Sequence, residues 1–204
     1  MKQPVRVKFC GITRVEDALL AASLGASAIG LVFVEGSPRC VSRARAVEIC
    51  KALPPLVGVV GLFMDAPAAW VRSVSAEVPL NWLQFHGSES PDYCAGFAMP
   101  WVKALPMASP ANVQYDEWFG ASALLLDAHG AGGMGGSGEM FDWESAVPPD
   151  RPWILAGGLN PDNVGRALAL LAPPAVDVSS GIESAPGIKD AVLMRRFMET
   201  IRNG

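Results

Sequence analysis

Short apolar segments recur along the chain at intervals of roughly 20–30 residues, the spacing of repeated βα units. Eight of them have the length and composition of buried strands, and parallel strands of this kind fit a closed barrel better than an open sheet. The predicted strands span 5–10, 28–34, 57–63, 81–85, 101–105, 123–127, 153–156 and 176–178. The pattern therefore predicts an α/β fold, a (β/α)8 TIM barrel.

Helix-start signals follow most of these strands. Thr13 and Glu16 have the spacing of a capping box, and Ser42 and Asp65 each precede an amphipathic stretch. Three pairs, at 90–91, 109–110 and 160–161, place a capping residue before a proline at the first helical position. After the sixth strand only a brief helix near 142–145 is predicted, so we expect a short or degenerate sixth helix. The last helix is predicted over 189–202.

Length and composition agree with one globular domain over residues 1–204. Half of the 204 residues are apolar and 18% are charged, which excludes a disordered chain. The net charge is -4 and Lys and Arg form no run, so nucleic acid and acidic membranes are not expected partners. Residues 18–34 carry no charge, but serines and glycines interrupt them, which favours a helix, a turn and a strand over a membrane span.

Cysteine and histidine usage argues against a metal site. The four cysteines form no C-x-x-C pair and the chain has two histidines, so neither zinc nor a disulfide framework is predicted. The N-terminal residues lack the apolar core of a signal peptide. We therefore expect a cytoplasmic protein.

Catalytic residues of (β/α)8 barrels lie where strands end. Cys10 ends the first predicted strand, and side-chain alternation points Lys8 and Cys10 into the barrel and Phe9 towards the helices. Lys8 would then lower the pKa of the Cys10 thiol. The alternative is a small buried hydrophobe, which we prefer for the other three cysteines, Cys40, Cys50 and Cys94.

Three further polar residues follow predicted strands. Asp127 ends four apolar residues, where a carboxylate is expensive unless it is solvated, paired or functional. The alternative is a helix or loop cap, but only a weak helix follows, so we expect an acid–base pair with Cys10 across the barrel mouth. Arg39, in the second loop, is either a clamp for a substrate carboxylate or an ordinary surface arginine. His86 either donates a hydrogen bond to substrate or orders its loop.

The last two βα loops have the composition of a phosphate site. Backbone N–H groups of these loops commonly cradle phosphate in this fold. The residues concerned are Gly157, Gly158, Ser179, Ser180 and Gly181. Residues 133–138 match G-x-G-x-x-G, but no early βαβ unit frames them, so a loop covering the site is the better interpretation. His129, among these glycines, receives no role.

An ordered set of motifs resembles the phosphoribosylanthranilate isomerase family. The matching runs are KFCGITR at 8–14, SPR at 37–39, LQFHG at 83–87, LLLD at 124–127, GGSGEMFDW at 135–143, LAGGLNPDNV at 155–164, VDVSSGIES at 176–184 and PGIKD at 186–190. They extend from the first strand to the last helix, and the ordered set is specific although no single motif is. The glycine loop departs slightly, since Ser137 replaces the usual threonine.

The resemblance implies an activity and roles. The activity is the Amadori rearrangement of N-(5-phosphoribosyl)anthranilate to 1-(2-carboxyphenylamino)-1-deoxyribulose 5-phosphate in tryptophan biosynthesis, without metal or redox cofactor, by a monomer or homodimer. Cys10 would be the general base and Asp127 the general acid. Arg39 would bind the anthranilate carboxylate, His86 would lie near the substrate and Asp177 near the sugar hydroxyls, with the last two loops on the phosphate.

Other readings stay open at this point. A ribulose-phosphate epimerase or a tryptophan synthase α subunit could share the fold and phosphate loops. The first would need metal-binding histidines and the second paired carboxylates without a cysteine at the first strand. A non-catalytic barrel would have no need of Cys10 or Asp127, and a broad-specificity isomerase that also serves histidine biosynthesis would place aspartate at both positions.

Overall fold

Eight parallel strands close into a barrel in chain order, with the last strand pairing with the first. The computed structural model describes residues 4–107, 114–128 and 142–204. The barrel strands are β1 Arg6–Phe9, β2 Ala28–Val32, β3 Gly58–Phe63, β4 Trp82–Phe85, β5 Trp101–Pro106, β6 Ala123–Asp127, β7 Trp153–Leu155 and β8 Ala175–Val178. All eight predicted strands are present, and the predicted fold class is confirmed.

Helices follow the strands on the outside of the barrel. They are α1 Val15–Ser23, α2 Arg43–Ala52, α3 Ala68–Glu77, α4 Pro91–Ala95, α5 Val164–Leu171 and α6 Ala191–Asn203. A 3-10 turn at Asp116–Trp118 precedes β6, another at Ser180–Ile182 follows β8, and a hairpin of β9 Glu183–Ala185 and β10 Ile188–Lys189 leads into α6.

Of the five predicted helix caps in the described residues, two form as expected and three do not. The Ser42 and Ser90 hydroxyls accept from the backbone N–H groups of Arg45 and Tyr93. Thr13 does not cap α1, because its hydroxyl donates to the carbonyl of Gly187, 174 residues along the chain. Asp65 does not cap α3, because its carboxylate accepts from the N–H of Ser88 in the next βα loop.

The later units begin differently from the prediction. Asn160 caps a turn rather than α5: its side chain accepts from the N–H groups of Asp162 and Asn163, and α5 starts only at Val164. Asp142 and Ser145 hold a bend rather than the brief helix predicted there, so residues 142–152 contain no helix and the sixth unit is degenerate. The predicted cap at 109–110 lies outside the described residues.

Side chains on β1 alternate as predicted between the barrel and the helix layer. The fully buried ring of Phe9 meets the ring of Phe197 on α6 edge to face, with 6.1 Å between centroids. Lys8 points the other way and pairs with Asp177 of β8 inside the barrel. The same alternation gives β5 and β6 a small interior cluster of Val102, Ala104, Ala123 and Leu125.

The uncharged stretch 18–34 divides as predicted. It contains the end of α1, a turn at Gly25 with a positive φ of 84°, and all of β2. Of the helices within the described ranges, none is long and apolar enough to span a bilayer.

Replacing Phe197 by Ala tests the helix–barrel packing. The change removes a fully buried ring and leaves a cavity against Phe9, so we expect a loss of roughly 3–5 kcal/mol in the free energy of unfolding. Urea denaturation followed by circular dichroism measures it. Val192→Ala is the control. Val192 lies on the same helix but is 64% exposed, so its replacement should change the free energy of unfolding by less than about 0.5 kcal/mol. Equal losses in both variants would contradict this account of the packing.

Candidate active site

A cavity of about 730 Å³ opens at the carboxyl ends of the barrel strands, where this fold places its catalytic residues. Nine of the ten residues predicted for the site line it: Cys10, Arg39, His86, Asp127, Gly157, Gly158, Asp177, Ser179 and Ser180. The exception is Gly181. The structure thus brings the predicted groups to one place, while their roles stay predictions.

The Cys10 thiol lies at the end of β1 with 5% of its surface exposed. Its backbone N–H donates to the carbonyl of Val178, which fixes the strand end against β8. Gly30 of β2 makes room for the side chain: a Cβ at that position would lie 2.7 Å from the Cys10 Sγ and 3.1 Å from Cε of Lys8. Any larger residue at position 30 would displace the thiol from the cavity.

Burial and two ionic neighbours decide the pKa of Cys10. Burial raises the thiol pKa above its ordinary value; the Lys8 ammonium lowers it and the Asp177 carboxylate raises it. Lys8 thus lowers the thiol pKa as expected, but burial outweighs it and the net direction is upward. Desolvation by burial lowers the pKa of Lys8, yet the charges of Asp177 and Cys10 hold that pKa above its ordinary value.

Asp127, at the end of β6, lies within hydrogen-bond distance of His86 at the end of β4. The His86 Nε2 lies 3.1 Å from the Asp127 Oδ2, and both side chains are about nine-tenths buried. The other ring nitrogen, Nδ1, lies 3.3 Å from the amide nitrogen of Gln84, two residues back on the same inward face of β4. His86 is therefore positioned against the predicted acid.

Arg39 is not a surface arginine. Only 8% of it is exposed, and its Nε and one terminal nitrogen donate to the two carboxylate oxygens of Glu183 over 2.9 and 2.7 Å. Glu183 also accepts from Lys189 over 2.7 Å, and the Lys189 ammonium donates to the carbonyl of Ser179 over 3.0 Å. One buried network thus connects the second βα loop to the loop after β8.

The pKa values within this network follow from burial and pairing. Burial alone would raise the pKa of Glu183, but the hydrogen bond from Arg39 and the charge of Lys189 bring it below its ordinary value. Burial lowers the pKa of Lys189, and Glu183 offsets this only in part. No role for Glu183 or Lys189 is predicted from the sequence. In the sequence they are two charged residues near the glycine-serine loop after β8, and nothing in their spacing relates them to residue 39.

Glycine and serine residues after β7 and β8 also line the cavity. Gly157 and Gly158 have positive φ angles of 83° and 62°, and a Cβ at Gly157 would overlap the backbone nitrogen of Ala128. The Gly158 carbonyl accepts from the side chain of Asn163 over 2.8 Å, which fixes the loop before α5. A Cβ at Gly181 would overlap the carbonyl oxygen of Leu159, so this glycine lets the two loops pack together rather than lining the cavity.

An apolar wall lies on the side of the cavity that holds Arg39. Val32, Val34, Leu62 and Met64 come from the ends of β2 and β3 and line the cavity. A ligand that fits must therefore combine an apolar part near a cation with a polar part near the glycine-serine loops. The loop 130–139 predicted to cover the site, including the 133–138 motif, lies outside the described residues, as does His129. In the ranges 4–107, 114–128 and 142–204, no three His, Cys, Asp or Glu residues are placed to hold a metal ion.

Fold and site together define a class, a (β/α)8-barrel enzyme with a thiol and a carboxyl at its mouth, in a cavity lined also by an arginine, apolar side chains and glycine-serine loops. The family model for N-(5'-phosphoribosyl)anthranilate (PRA) isomerase matches residues 7–200. The chain belongs to this family, as the ordered motifs indicated.

Several similar proteins can be aligned with nearly the whole chain. The N-(5'-phosphoribosyl)anthranilate isomerase of Stutzerimonas stutzeri is 52% identical over 203 residues, covering 98% of both chains, and that of Pseudomonas aeruginosa is 50% identical, covering 98% of this chain and 96% of its own. The crystal structure of the Thermus thermophilus phosphoribosyl anthranilate isomerase is 41% identical with a TM-score of 0.88, covering 98% and 99%. Another phosphoribosyl anthranilate isomerase, in complex with reduced 1-(o-carboxyphenylamino)-1-deoxyribulose 5-phosphate, is 35% identical with a TM-score of 0.81, covering 98% and 100%.

The raised pKa of Cys10 predicts its reactivity in the free protein. We expect the pH midpoint of Cys10 alkylation by iodoacetamide, followed peptide by peptide by mass spectrometry, to lie above the ordinary thiol value of 9.0. Lys8→Met should move the midpoint further up, because it removes the cation that lowers the pKa. Circular dichroism confirms that the variant is folded, and the exposed Cys40 in the same samples checks the reagent. A Cys10 midpoint below 9.0 would mean that the cations outweigh burial.

Proposed function

We propose that the protein catalyses the isomerisation of N-(5-phosphoribosyl)anthranilate, with Cys10 as general base and Asp127 as general acid. The observation that carries these roles is that one cavity, at the ends of β1 and β6, holds both groups together with Arg39, an apolar wall and the glycine-serine loops. The site acts by proton transfer alone, so the assignment includes no metal and no redox cofactor.

The lining of the cavity suits the two parts of this substrate, the anthranilate ring with its carboxylate and the sugar with its phosphate. The anthranilate ring fits against the apolar wall, and its carboxylate is placed to meet Arg39, whose guanidinium can bind a carboxylate through two parallel hydrogen bonds. The phosphate fits the loops at Gly157, Gly158, Ser179 and Ser180, with Gly181 keeping the loops together. A relative in complex with reduced 1-(o-carboxyphenylamino)-1-deoxyribulose 5-phosphate supports a ligand of this kind.

The proposed reaction begins with ring opening. Asp127 gives its proton to the furanose ring oxygen, the bond from C1 to that oxygen breaks, and the nitrogen lone pair forms a C1=N double bond. The sugar now carries a free hydroxyl and a protonated Schiff base, which acidifies the proton on C2.

The second step is proton abstraction. Cys10, as thiolate, removes the proton from C2, and the electron pair of that bond forms C1=C2 while the C1=N electrons return to nitrogen. The resulting enolamine takes a proton at C1 and loses the one on its C2 hydroxyl, which gives the ketone. Asp177, bound to Lys8 beside the thiol, lies where it can accept from sugar hydroxyls, and His86 lies where it can orient Asp127.

Several further properties belong to this proposal. We infer one catalytic domain over residues 1–204 that acts in the cytoplasm on a small phosphosugar–anthranilate and binds neither nucleic acid nor membrane. It works as a monomer or a homodimer, since all the proposed catalytic groups come from one chain. Anthranilate-type fluorescence of freshly made substrate should fall faster with the purified protein than spontaneously; if it does not, the proposed activity is wrong.

Removing either catalytic group should nearly abolish turnover. We expect Cys10→Ala and Asp127→Asn each to lower kcat by roughly 100- to 10,000-fold, the usual value of a general acid or base. The loss of substrate fluorescence measures it. Cys50→Ala, on α2 away from the cavity, and Asp92→Asn, exposed on α4, are matched controls that should keep kcat. Near wild-type kcat in Cys10→Ala or Asp127→Asn would refute the roles.

Arg39→Lys tests carboxylate binding. Lysine keeps the positive charge beside Glu183 but loses the planar fork, so we expect KM to rise about tenfold, the value of one charge-assisted hydrogen bond, with a smaller effect on kcat. Arg43→Lys, paired with Glu77 on the protein surface, should leave KM unchanged. The role fails if Arg39→Lys keeps the wild-type KM.

A further inference from the structure

We propose that the amide of Gln84 determines which nitrogen of His86 carries the proton, and through it whether Asp127 is held as acid or as carboxylate. Gln84 is thus a positioning residue that acts on the acid without touching it. This inference rests on the proposed role of Asp127 as general acid.

Three side chains form the relay, and all are held inside the barrel. Gln84 lies on β4 with 1% of its surface exposed, and its Nε2 is 3.3 Å from the His86 Nδ1. The opposite nitrogen of the ring, Nε2, is 3.1 Å from the Asp127 Oδ2. Gln84 and His86 are two residues apart, so they share the inward face of the strand end. The distances leave no room for a water molecule between them.

The three groups are coupled because the donor or acceptor role of one ring nitrogen fixes the role of the other. A neutral imidazole has one N–H donor and one acceptor nitrogen. With the Gln84 amide nitrogen donating to Nδ1, the ring proton must be on Nε2, and Nε2–H then donates to Asp127. In this arrangement the Asp127 Oδ2 is an acceptor. This is the state that suits Asp127 after it has delivered its proton, not before.

Turning the Gln84 amide by half a turn gives the complementary state. Its Oε1 would then accept from Nδ1–H, the His86 Nε2 would become an acceptor, and a protonated Asp127 would donate to it. The ring and the backbone need not move, because the amide oxygen and amide nitrogen exchange places at the same distance. Asp127 would now hold the proton that the first step requires.

The free end of the amide makes this rotation feasible. The Gln84 Oε1 is buried and has no hydrogen-bond partner among the described residues. A buried amide whose two ends were both bonded would be locked in one orientation, because rotation would break bonds at both ends. Here a single hydrogen bond, to His86, selects the orientation. The amide can therefore follow the ring proton.

Two variants at position 84 separate the two states. In Gln84→Glu a carboxylate can only accept, so Nδ1 must carry a proton. In Gln84→Met no polar group faces Nδ1, so the ring keeps its proton on Nε2, where Asp127 accepts it. The methionine side chain is about as long as glutamine, so packing is nearly preserved.

Imidazole 15N resonances report the ring proton directly. The chain has two histidines, so a 15N-histidine-labelled sample gives two rings, and His86→Asn assigns the signals of His86. At pH 8 we expect Nδ1 of His86 to be protonated in Gln84→Glu and unprotonated in Gln84→Met, with the wild type between the two. Kinetics should show kcat about tenfold lower in Gln84→Met with KM within about twofold, the effect of one lost hydrogen bond in the relay.

Each result decides the question. The same ring protonation in all three proteins would overturn the proposal, and so would shifted ring protonation with wild-type kcat in Gln84→Met. A raised KM with unchanged kcat would overturn it too, because Gln84 would then bind substrate. If the wild type fails to turn over the substrate, the proposed function fails, and the imidazole signals still show whether Gln84 controls His86. Thermal unfolding of each variant excludes loss of fold as the cause.

Discussion

The position of the site residues depends on the pairing of the first strand with the last, where Lys8 lies opposite Asp177. It closes the barrel, and it does so with a buried ion pair of 3.0 Å rather than with apolar side chains. A buried pair of this kind is costly unless both partners stay in place, so the two strand ends are held in register. Cys10, the next inward residue on β1, is thereby fixed beside an ammonium and a carboxylate. Its position and its pKa are both consequences of how the barrel closes.

The same closure accounts for the charge at the barrel mouth. Two buried groups of ion pairs lie there: Lys8 with Asp177, and Glu183 with both Arg39 and Lys189. Burial is the main reason why the pKa of Lys189 is lowered, and the charge of Arg39 adds to it. In the second group two cations share one carboxylate, which fits the proposal that Arg39 binds the carboxylate of the substrate.

The fold and most of the site were predictable because they depend on local patterns, and the exceptions depend on contacts between distant residues. Strand periodicity, the inward parity of Cys10 and the Ser42 and Ser90 caps all involve neighbours within a few residues. Thr13 and Asp65 have equally good capping patterns, but their side chains bond to Gly187 and Ser88 instead. Glu183 lies 144 residues from Arg39, so no spacing within the sequence could link them. The net direction of the Cys10 pKa was not predictable for a related reason: the sequence shows the neighbouring lysine but not the degree of burial.

The two proposed catalytic groups need opposite protonation states in one cavity, and the barrel separates their surroundings. Cys10 has to lose a proton, and the cations Lys8 and Lys189 lower its pKa against the effect of burial. Asp127 has to keep a proton, and it contacts an imidazole that an amide can polarise in either direction. Fixed cations thus lower the pKa of the proposed base, whereas a hydrogen bond that can reverse its direction would control the proton of the proposed acid. This division suits the chemistry, since Asp127 must release its proton at ring opening and the relay can hold the carboxylate that remains.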